Sequence, residues 1–307
     1  MIDLAKADVV FISYDEPEAD ANFAHLHGLV PRARRVHGVK GFDAAHRRAA
    51  EGIGPDRVFT VDGDNWVTDG GFFQGRLDHA PRDLGQVFSF SAWNDLNGLR
   101  YGNGGVKLWP RHVLHGLRSH ESALRPQAAL DFWTVPFYLI NRELSQVRIT
   151  ATPAQAFRAG YREGVKLTLI GGQTPRDAHP DLTAADAMAR HLGPANAERL
   201  RVWCSIGIDR QNGDWAIFGA RLGCVHSALD ARSSIEIADF ATFAGFWQTA
   251  IWPQFHDPAT RAEASEALAQ RIDSALDLKL PRLDAEASAA ARRRVRGLRA
   301  YGPLLAL

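Results

Sequence analysis

Residues 57–65, Arg57-Val58-Phe59-Thr60-Val61-Asp62-Gly63-Asp64-Asn65, form a short apolar run that ends abruptly in a polar turn. Its residues 58–61 have the length and β-branched character of a buried strand. The two acidic residues follow that strand directly, which puts them at the carboxyl edge of the sheet, where α/β proteins bind their ligands. The segment therefore predicts an α/β sheet with an acidic site at the end of one strand.

The first half of the chain alternates apolar runs with polar turns and helical patterns, as α/β proteins do. Strands are predicted at 8–13, 35–40, 57–61, 86–93, 104–109 and 147–150. Helices are predicted from Glu18 to Leu29 and from a cap at Asp43 to Gly52. Beyond about Ala184 the spacing becomes helical, and we also favour helix for the ambiguous stretch 200–227.

Two parts follow from this pattern: an α/β core over residues 1–175 and a mostly helical C-terminal region over 176–307 packed on it. The breaker cluster Gly171-Gly172-Gln173-Thr174-Pro175 lies near the boundary.

With 46% apolar and 23% charged residues, the composition is that of a globular protein. The net charge of +1 provides no overall attraction to nucleic acid or to anionic membranes.

Cysteine usage and the N-terminal residues predict the compartment. Cys204 and Cys224 lack Cys-x-x-Cys spacing, so we expect buried free thiols. Residues 1–6 include Asp3 and lack the apolar stretch of a secretory signal. No apolar run approaches the ~18 residues of a membrane span. The sequence therefore predicts a cytoplasmic protein with no membrane partner.

The acidic tripeptide suits a divalent cation. Gly63 separates Asp62 from Asp64 without a bulky side chain, so both carboxylates can reach one ion. Oxygen ligands favour Mg²⁺ or Mn²⁺, and substrate phosphates often complete the coordination of these ions. The chemistry therefore points to a nucleotide diphosphate ligand.

Asp62-Gly63-Asp64 after an apolar strand resembles the Asp-x-Asp metal site of A-type (GT-A) nucleotide-sugar glycosyltransferases. The resemblance implies a GT-A-like, Rossmann-type mixed sheet flanked by helices, with a UDP-sugar as donor. Its implied donor-binding residues are Ser13, Tyr14, Asp15 and Glu16 for the nucleoside, Lys40 and Gly41 for the nucleotide or its phosphates, Asp62 and Gly63, and Asn103 between two glycines.

Three segments extend the resemblance to phage and bacterial glycosyltransferase-like proteins. These segments are residues 11–17, 36–41 and 101–109, and the likeness covers about Val10 to Leu167. Some relatives of that kind glucosylate hydroxymethylated pyrimidines such as hydroxymethyluracil in DNA, as base J glucosyltransferases do. The implied reaction is transfer of a sugar, glucose for these relatives, to DNA. The basic run Arg292-Arg293-Arg294 fits phosphate contact and a solvated helix face equally well.

The resemblance also implies a general base at an acidic position after the glycine-rich strand. Asp131, in Leu130-Asp131-Phe132-Trp133, occupies that position, although Leu130 replaces the first acid of the usual Glu-Asp pair. Glu163 is the alternative base. His226 is a candidate third metal ligand, or else a hydrogen-bonded structural histidine.

Motifs of other enzyme classes are missing from the sequence: the phosphate loop, the dinucleotide fingerprint, the hydrolase elbow and the zinc protease helix. A sugar-phosphate nucleotidyltransferase could use the same acidic site. It would need a basic loop after the first strand, however, and residues 13–17 are acidic instead. A non-catalytic, nucleic-acid-associated binding module is the other alternative. Hydrolysis of a nucleotide sugar would separate that module from the enzymes.

Overall fold

The computed structural model describes residues 1–52, 54, 56–78, 85–102, 104–118, 135, 137–169, 173–230 and 240–297. These residues form two compact units. The first unit contains the described residues up to Arg148 except 96–99. The second contains 96–99 and the described residues from Ile149 onward. Residues 149–169 and 173–175 thus group with the second unit, whereas the sequence interpretation assigned them to the core.

The first unit is built on a mixed β-sheet. Its described residues include the strands β1 (Ile2–Asp3), β2 (Asp8–Ser13), β3 (Arg34–His37), β4 (Arg57–Asp62), β5 (Asn65–Val67), β6 (Arg76–Leu77), β7 (Val87–Asn94), β8 (Arg100–Tyr101), β9 (Val106–Pro110) and β10 (Phe137–Val147). The main sheet has the order β3-β2-β4-β9-β7-β10-β5, with β8 beside β7, and β1 pairs separately with β6. Strand β9 runs antiparallel to both of its neighbours, while β3, β2 and β4 are parallel.

Helices of the first unit cover both faces of the sheet. They are α1 (Ala19–Leu29), α2 (Phe42–Ala49) and α3 (Arg111–His115). Along β4, Phe59 and Val61 pack in the same apolar cluster as Leu26 of α1. Val58, on the opposite face, shares a second cluster with Ala49 of α2. Because strand side chains alternate between faces, Asp62 continues the α2 face of the sheet.

The chain adds strands on both sides of β2, so the order in which strands join the sheet reverses there. It passes from β2 through α1 to β3 on one side, then through α2 to β4 on the other side of β2. The two connecting helices lie on opposite faces, so the carboxyl ends of β2 and β4 flank a topological switch point. Open α/β sheets bind ligands in the crevice at such a point.

The second unit is helical throughout its described elements. These are α4 (Pro153–Lys166), α5 (Pro175–Ala178), α6 (Ala184–Ser205), α7 (Gly213–Ala228), α8 (Phe240–Phe246), a π-helical turn (Trp247–Ile251), α9 (Trp252–Phe255), α10 (Pro258–Leu276) and α11 (Ala285–Gly297). Helices α4 and α7 cross at glycines. A Cβ atom at Gly160 of α4 would lie 1.9 Å from the carbonyl oxygen of Ala216 in α7. The two backbones are therefore in direct contact, which explains why α4 belongs to the second unit.

The structure confirms the predicted mixed α/β class and the strands near residues 8–13, 57–61, 86–93 and 104–109. Residues 200–227 are helical as expected, apart from the break between α6 and α7. The strand expected at 147–150 is wrong, because Val147 is instead the last residue of β10. Two register shifts in β10 disturb the two-residue alternation that would have revealed the strand.

Two further expectations can be checked. Gly41, with a φ of 97°, is the N-cap of α2, and Asp43 lies within the first helical turn instead of capping it. Cys204 and Cys224 are buried and free, as expected. Within the described part of the chain, no helix combines the length and apolar character required to cross a bilayer.

Candidate active site

Asp62 ends β4 at the carboxyl edge of the sheet. Its backbone N–H donates to the carbonyl oxygen of Gly105 at 3.0 Å, which anchors the end of β4 to the segment just before β9. Its side chain is 38% exposed, and Oδ2 lies 3.6 Å from Nζ of Lys107. The carboxylate therefore faces solvent on one side and an internal cation on the other.

Gly63 occupies a crowded position between the polar end of β2 and helix α1. A Cβ atom there would lie 2.6 Å from Oε2 of Glu16 and 3.0 Å from Cβ of Ser13. The same Glu16 oxygen accepts the backbone N–H of Tyr14 at 2.8 Å. Asn22 of α1 donates its Nδ2 to the carbonyl oxygen of Gly63 at 2.9 Å. A larger residue at this position would displace Glu16, which lies against the acidic turn Asp62-Gly63-Asp64.

Asp64 is fixed by contacts from two later strands. Asn65 donates Nδ2 to Oδ1 of Asp64 at 2.7 Å, and Ser145 of β10 donates to Oδ1 of Asn65 at 2.6 Å. The backbone N–H of Arg148 donates to the carbonyl oxygen of Asp64 at 2.8 Å. The guanidinium of Arg148 stacks on Trp66 of β5, 3.9 Å from the ring centre.

A polar network connects the ends of β2 and β3. Ser13 Oγ accepts from Nε of Arg35 at 2.8 Å and lies 3.0 Å from Nδ1 of His37. Arg35 also donates to Asp20, and this hydrogen bond and the guanidinium charge hold the pKa of Asp20 below its ordinary value. Ser13, at the end of β2, is thus tied to β3 by its side chain.

The remaining predicted donor-binding residues are exposed, begin a helix or lie outside the described residues. Tyr14, Asp15 and Lys40 are exposed, and Gly41 begins α2 after the end of β3. Asn103 lies outside the described residues. The predicted general base, Asp131, also lies outside them, so its role stays a prediction.

Glu163 and His226 both belong to the second unit. Oε1 of Glu163 in α4 is 3.5 Å from Nζ of Lys166. Nδ1 of His226 in α7 is 2.9 Å from the hydroxyl oxygen of Tyr161. The hydrogen-bonded role that we considered for His226 is therefore observed, while its role as a metal ligand stays a prediction.

His46 of α2 is a buried histidine on the same face of the sheet as Asp62. Its side chain is 2% exposed, and its ring packs edge-on to that of Trp109, with centroids 5.7 Å apart. Nδ1 donates to the carbonyl oxygen of Phe42 at 2.9 Å, whereas the buried Nε2 has no hydrogen-bond partner among the described residues. Burial lowers the pKa of His46 to about 4, partly opposed by the charge of Asp62. The ring is therefore neutral at pH 7.

This lowered pKa predicts a loss of stability in acid. The unfolded chain binds a proton on His46 near its ordinary pKa of 6.5, whereas the folded protein resists protonation down to about 4. The stabilisation is complete above pH 6.5 and is lost as the pH falls toward 4, by roughly 3 kcal/mol for this group. Urea unfolding across that range should be less pH-dependent in His46→Gln than in the wild type.

The matched control for this measurement is His115→Gln, because His115 is exposed. Its pH profile should follow that of the wild type. An unchanged pH dependence in folded His46→Gln would contradict the assignment of a buried neutral ring.

The acidic turn fits a metal ion only in part. Among the described residues, no three His, Cys, Asp or Glu side chains come close enough to hold a metal. Asp62 and Asp64 nevertheless supply carboxylate oxygens at one strand end. Such a pair suits Mg²⁺ or Mn²⁺ whose other positions are filled by water and substrate phosphates. The residues fit an ion that is shared with a phosphate ligand, and not an all-protein cage.

Sequence reasoning did not single out Lys107, Arg148 or His46 as site residues. Each comes close to the acidic turn only through strand pairing or helix packing.

A scan against protein-family models, a search of curated proteins and a search of solved structures each found no match. The function is therefore inferred from the residues and their arrangement.

Proposed function

We propose that this protein is a metal-dependent glycosyltransferase that takes a sugar from a UDP-sugar. The observation that carries the proposal is the position of Asp62 and Asp64 at the end of a buried strand, beside the switch point of the sheet. The ends of β2 and β3, with Ser13 and His37, are polar at the same edge. A strand edge with these surroundings suits a nucleotide, and the GT-A-like fold within the mixed sheet is part of this proposal.

The charges around the acidic turn support a diphosphate ligand. Asp62 and Asp64 would hold Mn²⁺ or Mg²⁺ together with the phosphates. The bound metal would offset the negative charge that develops on the leaving diphosphate, which is worth several kcal/mol of barrier. Lys107 adds a cation beside Asp62, and Gly63 keeps the turn free of a side chain that would collide with Glu16.

The other roles rest on the resemblance to A-type glycosyltransferases. Ser13 to Glu16 would hold the nucleoside, and Asp131 would deprotonate the acceptor hydroxyl, with Glu163 as the alternative base. The proposed acceptor is a hydroxymethylpyrimidine in DNA. Arg293 and Arg294 of α11 are exposed and available for phosphate contact.

Calorimetry tests the donor and metal together. UDP-glucose should bind saturably in the presence of Mn²⁺ and lose most of its affinity when a chelator replaces the metal. Equal affinity under both conditions would remove the metal from the proposal. Absence of UDP-sugar binding under either condition would overturn the donor assignment.

A transfer assay then separates the reaction classes. Wild-type protein with Mn²⁺ and UDP-glucose should release UDP, faster when a hydroxymethylated DNA duplex is added than with the unmodified duplex. Release of pyrophosphate from UTP and a sugar phosphate would instead indicate a nucleotidyltransferase. Binding of the duplex without release of UDP would indicate a non-catalytic module.

A further inference from the structure

Lys107 is an unusual residue for its position. It is the second residue of β9, the antiparallel strand between β4 and β7, and its side chain is only 6% exposed. A buried ammonium is costly unless it is paired and hydrogen-bonded. Nζ donates to the carbonyl oxygen of Gly104 at 3.0 Å and lies 3.6 Å from Oδ2 of Asp62.

Strand pairing fixes where this ammonium can reach. Lys107 stands opposite Thr60 on β4, so Asp62 is the next β4 side chain on the same face toward the carboxyl edge. On the other side, Trp109 fills the space and donates Nε1 to Oγ1 of Thr60 at 2.8 Å. The side chain therefore extends toward the acidic turn.

We propose that Lys107 is a counter-ion built into the donor site. The ammonium of Lys107 competes with the divalent cation for Asp62, and it interacts with the diphosphate when the donor binds. The inference rests on the proposed function and specifies how the site is charged. Without nucleotide, the lysine already neutralises one of the two carboxylates, and its positive charge repels a metal ion nearby. The diphosphate supplies negative charge for both cations, so metal and nucleotide bind far better together than the metal does alone.

The test compares Mn²⁺ alone with Mn²⁺ plus UDP in calorimetry on the whole protein. Lys107→Met retains the apolar stem and removes the charge. It should bind Mn²⁺ alone roughly two- to tenfold more tightly than the wild type, as expected for loss of one competing ion pair. It should bind UDP in the presence of Mn²⁺ roughly tenfold more weakly, because a cation facing the diphosphate is lost. General damage to the site would weaken both.

Two further variants sharpen the comparison. In an Asp62→Asn background, Lys107→Met should no longer tighten Mn²⁺ binding, because the competed carboxylate is missing. Lys6→Met removes an exposed lysine 3.9 Å from Asp3 and should leave both affinities unchanged. Thermal unfolding checks that each variant is folded, and Lys107→Gln replaces Lys107→Met if the methionine variant is not.

An unchanged or weaker affinity of folded Lys107→Met for Mn²⁺ alone would overturn the proposed role of Lys107 as a counter-ion. Failure of the wild type to bind UDP would instead overturn the proposed function. The measurement with Mn²⁺ alone uses no nucleotide, so it still decides whether Lys107 competes for Asp62.

Discussion

Gly160→Ala is expected to lower the free energy of unfolding by roughly 3 kcal/mol. The new Cβ atom would lie 1.9 Å from the carbonyl oxygen of Ala216 and 2.8 Å from its carbonyl carbon. These are backbone atoms of α7, so no side-chain rotation relieves the collision and the two helices must separate. In an unpacked helix, glycine to alanine stabilises by about 1 kcal/mol. The crossing of α4 and α7 therefore reverses the ordinary sign.

Urea unfolding followed by circular dichroism measures this effect. The control is Gly28→Ala in α1, where a Cβ atom would meet nothing within 4 Å. That variant should be neutral or more stable by up to about 1 kcal/mol. Gly219→Ala, whose Cβ would lie 2.3 Å from the carbonyl oxygen of Phe157, should destabilise like Gly160→Ala. A Gly160→Ala protein as stable as the wild type would show that the helices are farther apart.

Local signals were enough to predict the parts of the fold that lie near the acidic turn. The runs that form β2 and β4 are short, apolar and bounded by polar turns, so each is recognisable without its neighbours. The position of their carboxyl ends at the same edge of the sheet followed from the fact that parallel strands all end at one edge. The expectation of a buried strand at 57–61 that runs directly into Asp62-Gly63-Asp64 was confirmed.

Other elements depend on contacts that no local pattern reveals. Helix α4 was not predicted, because Gly160 and Gly164 reduce its helical propensity and become favourable only where α7 approaches. Strand β10 has exposed residues such as Tyr138 and Leu139 in succession, so the alternation that marks a strand is absent. Both elements are defined by their partners.

The same distinction applies to the site. Ser13 and Asp62 end their strands, and Asp64 comes two residues after Asp62, so these residues could be selected from the sequence. Lys107 reaches Asp62 only because β9 inserts antiparallel beside β4 with one particular register. His46 lies in α2, and its burial against Trp109 depends on the packing of that helix on the sheet. Pairing of distant segments therefore determines the charge balance around the acidic turn.

Asp64→Asn is expected to reduce Mn²⁺-dependent turnover by roughly 10²–10³-fold, since metal stabilisation of the leaving group is worth several kcal/mol. The substitution preserves shape, and Oδ1 can still accept the 2.7 Å hydrogen bond from Asn65. The fold should therefore be retained while the negative charge of the proposed metal ligand is lost. UDP binding in the presence of Mn²⁺ should weaken in parallel, toward the affinity measured with a chelator.

Kinetics and calorimetry on the same preparations check this prediction. Asp78→Asn, the same change at an exposed carboxylate, should match the wild type in both measurements. Asp131→Asn provides the contrast, because loss of a general base slows turnover by about 10²–10⁴-fold while donor binding stays nearly unchanged. If folded Asp64→Asn retained both Mn²⁺-dependent binding and turnover, Asp64 would not be a metal ligand. Asp62, with Lys107 beside it, would then be the carboxylate to test next.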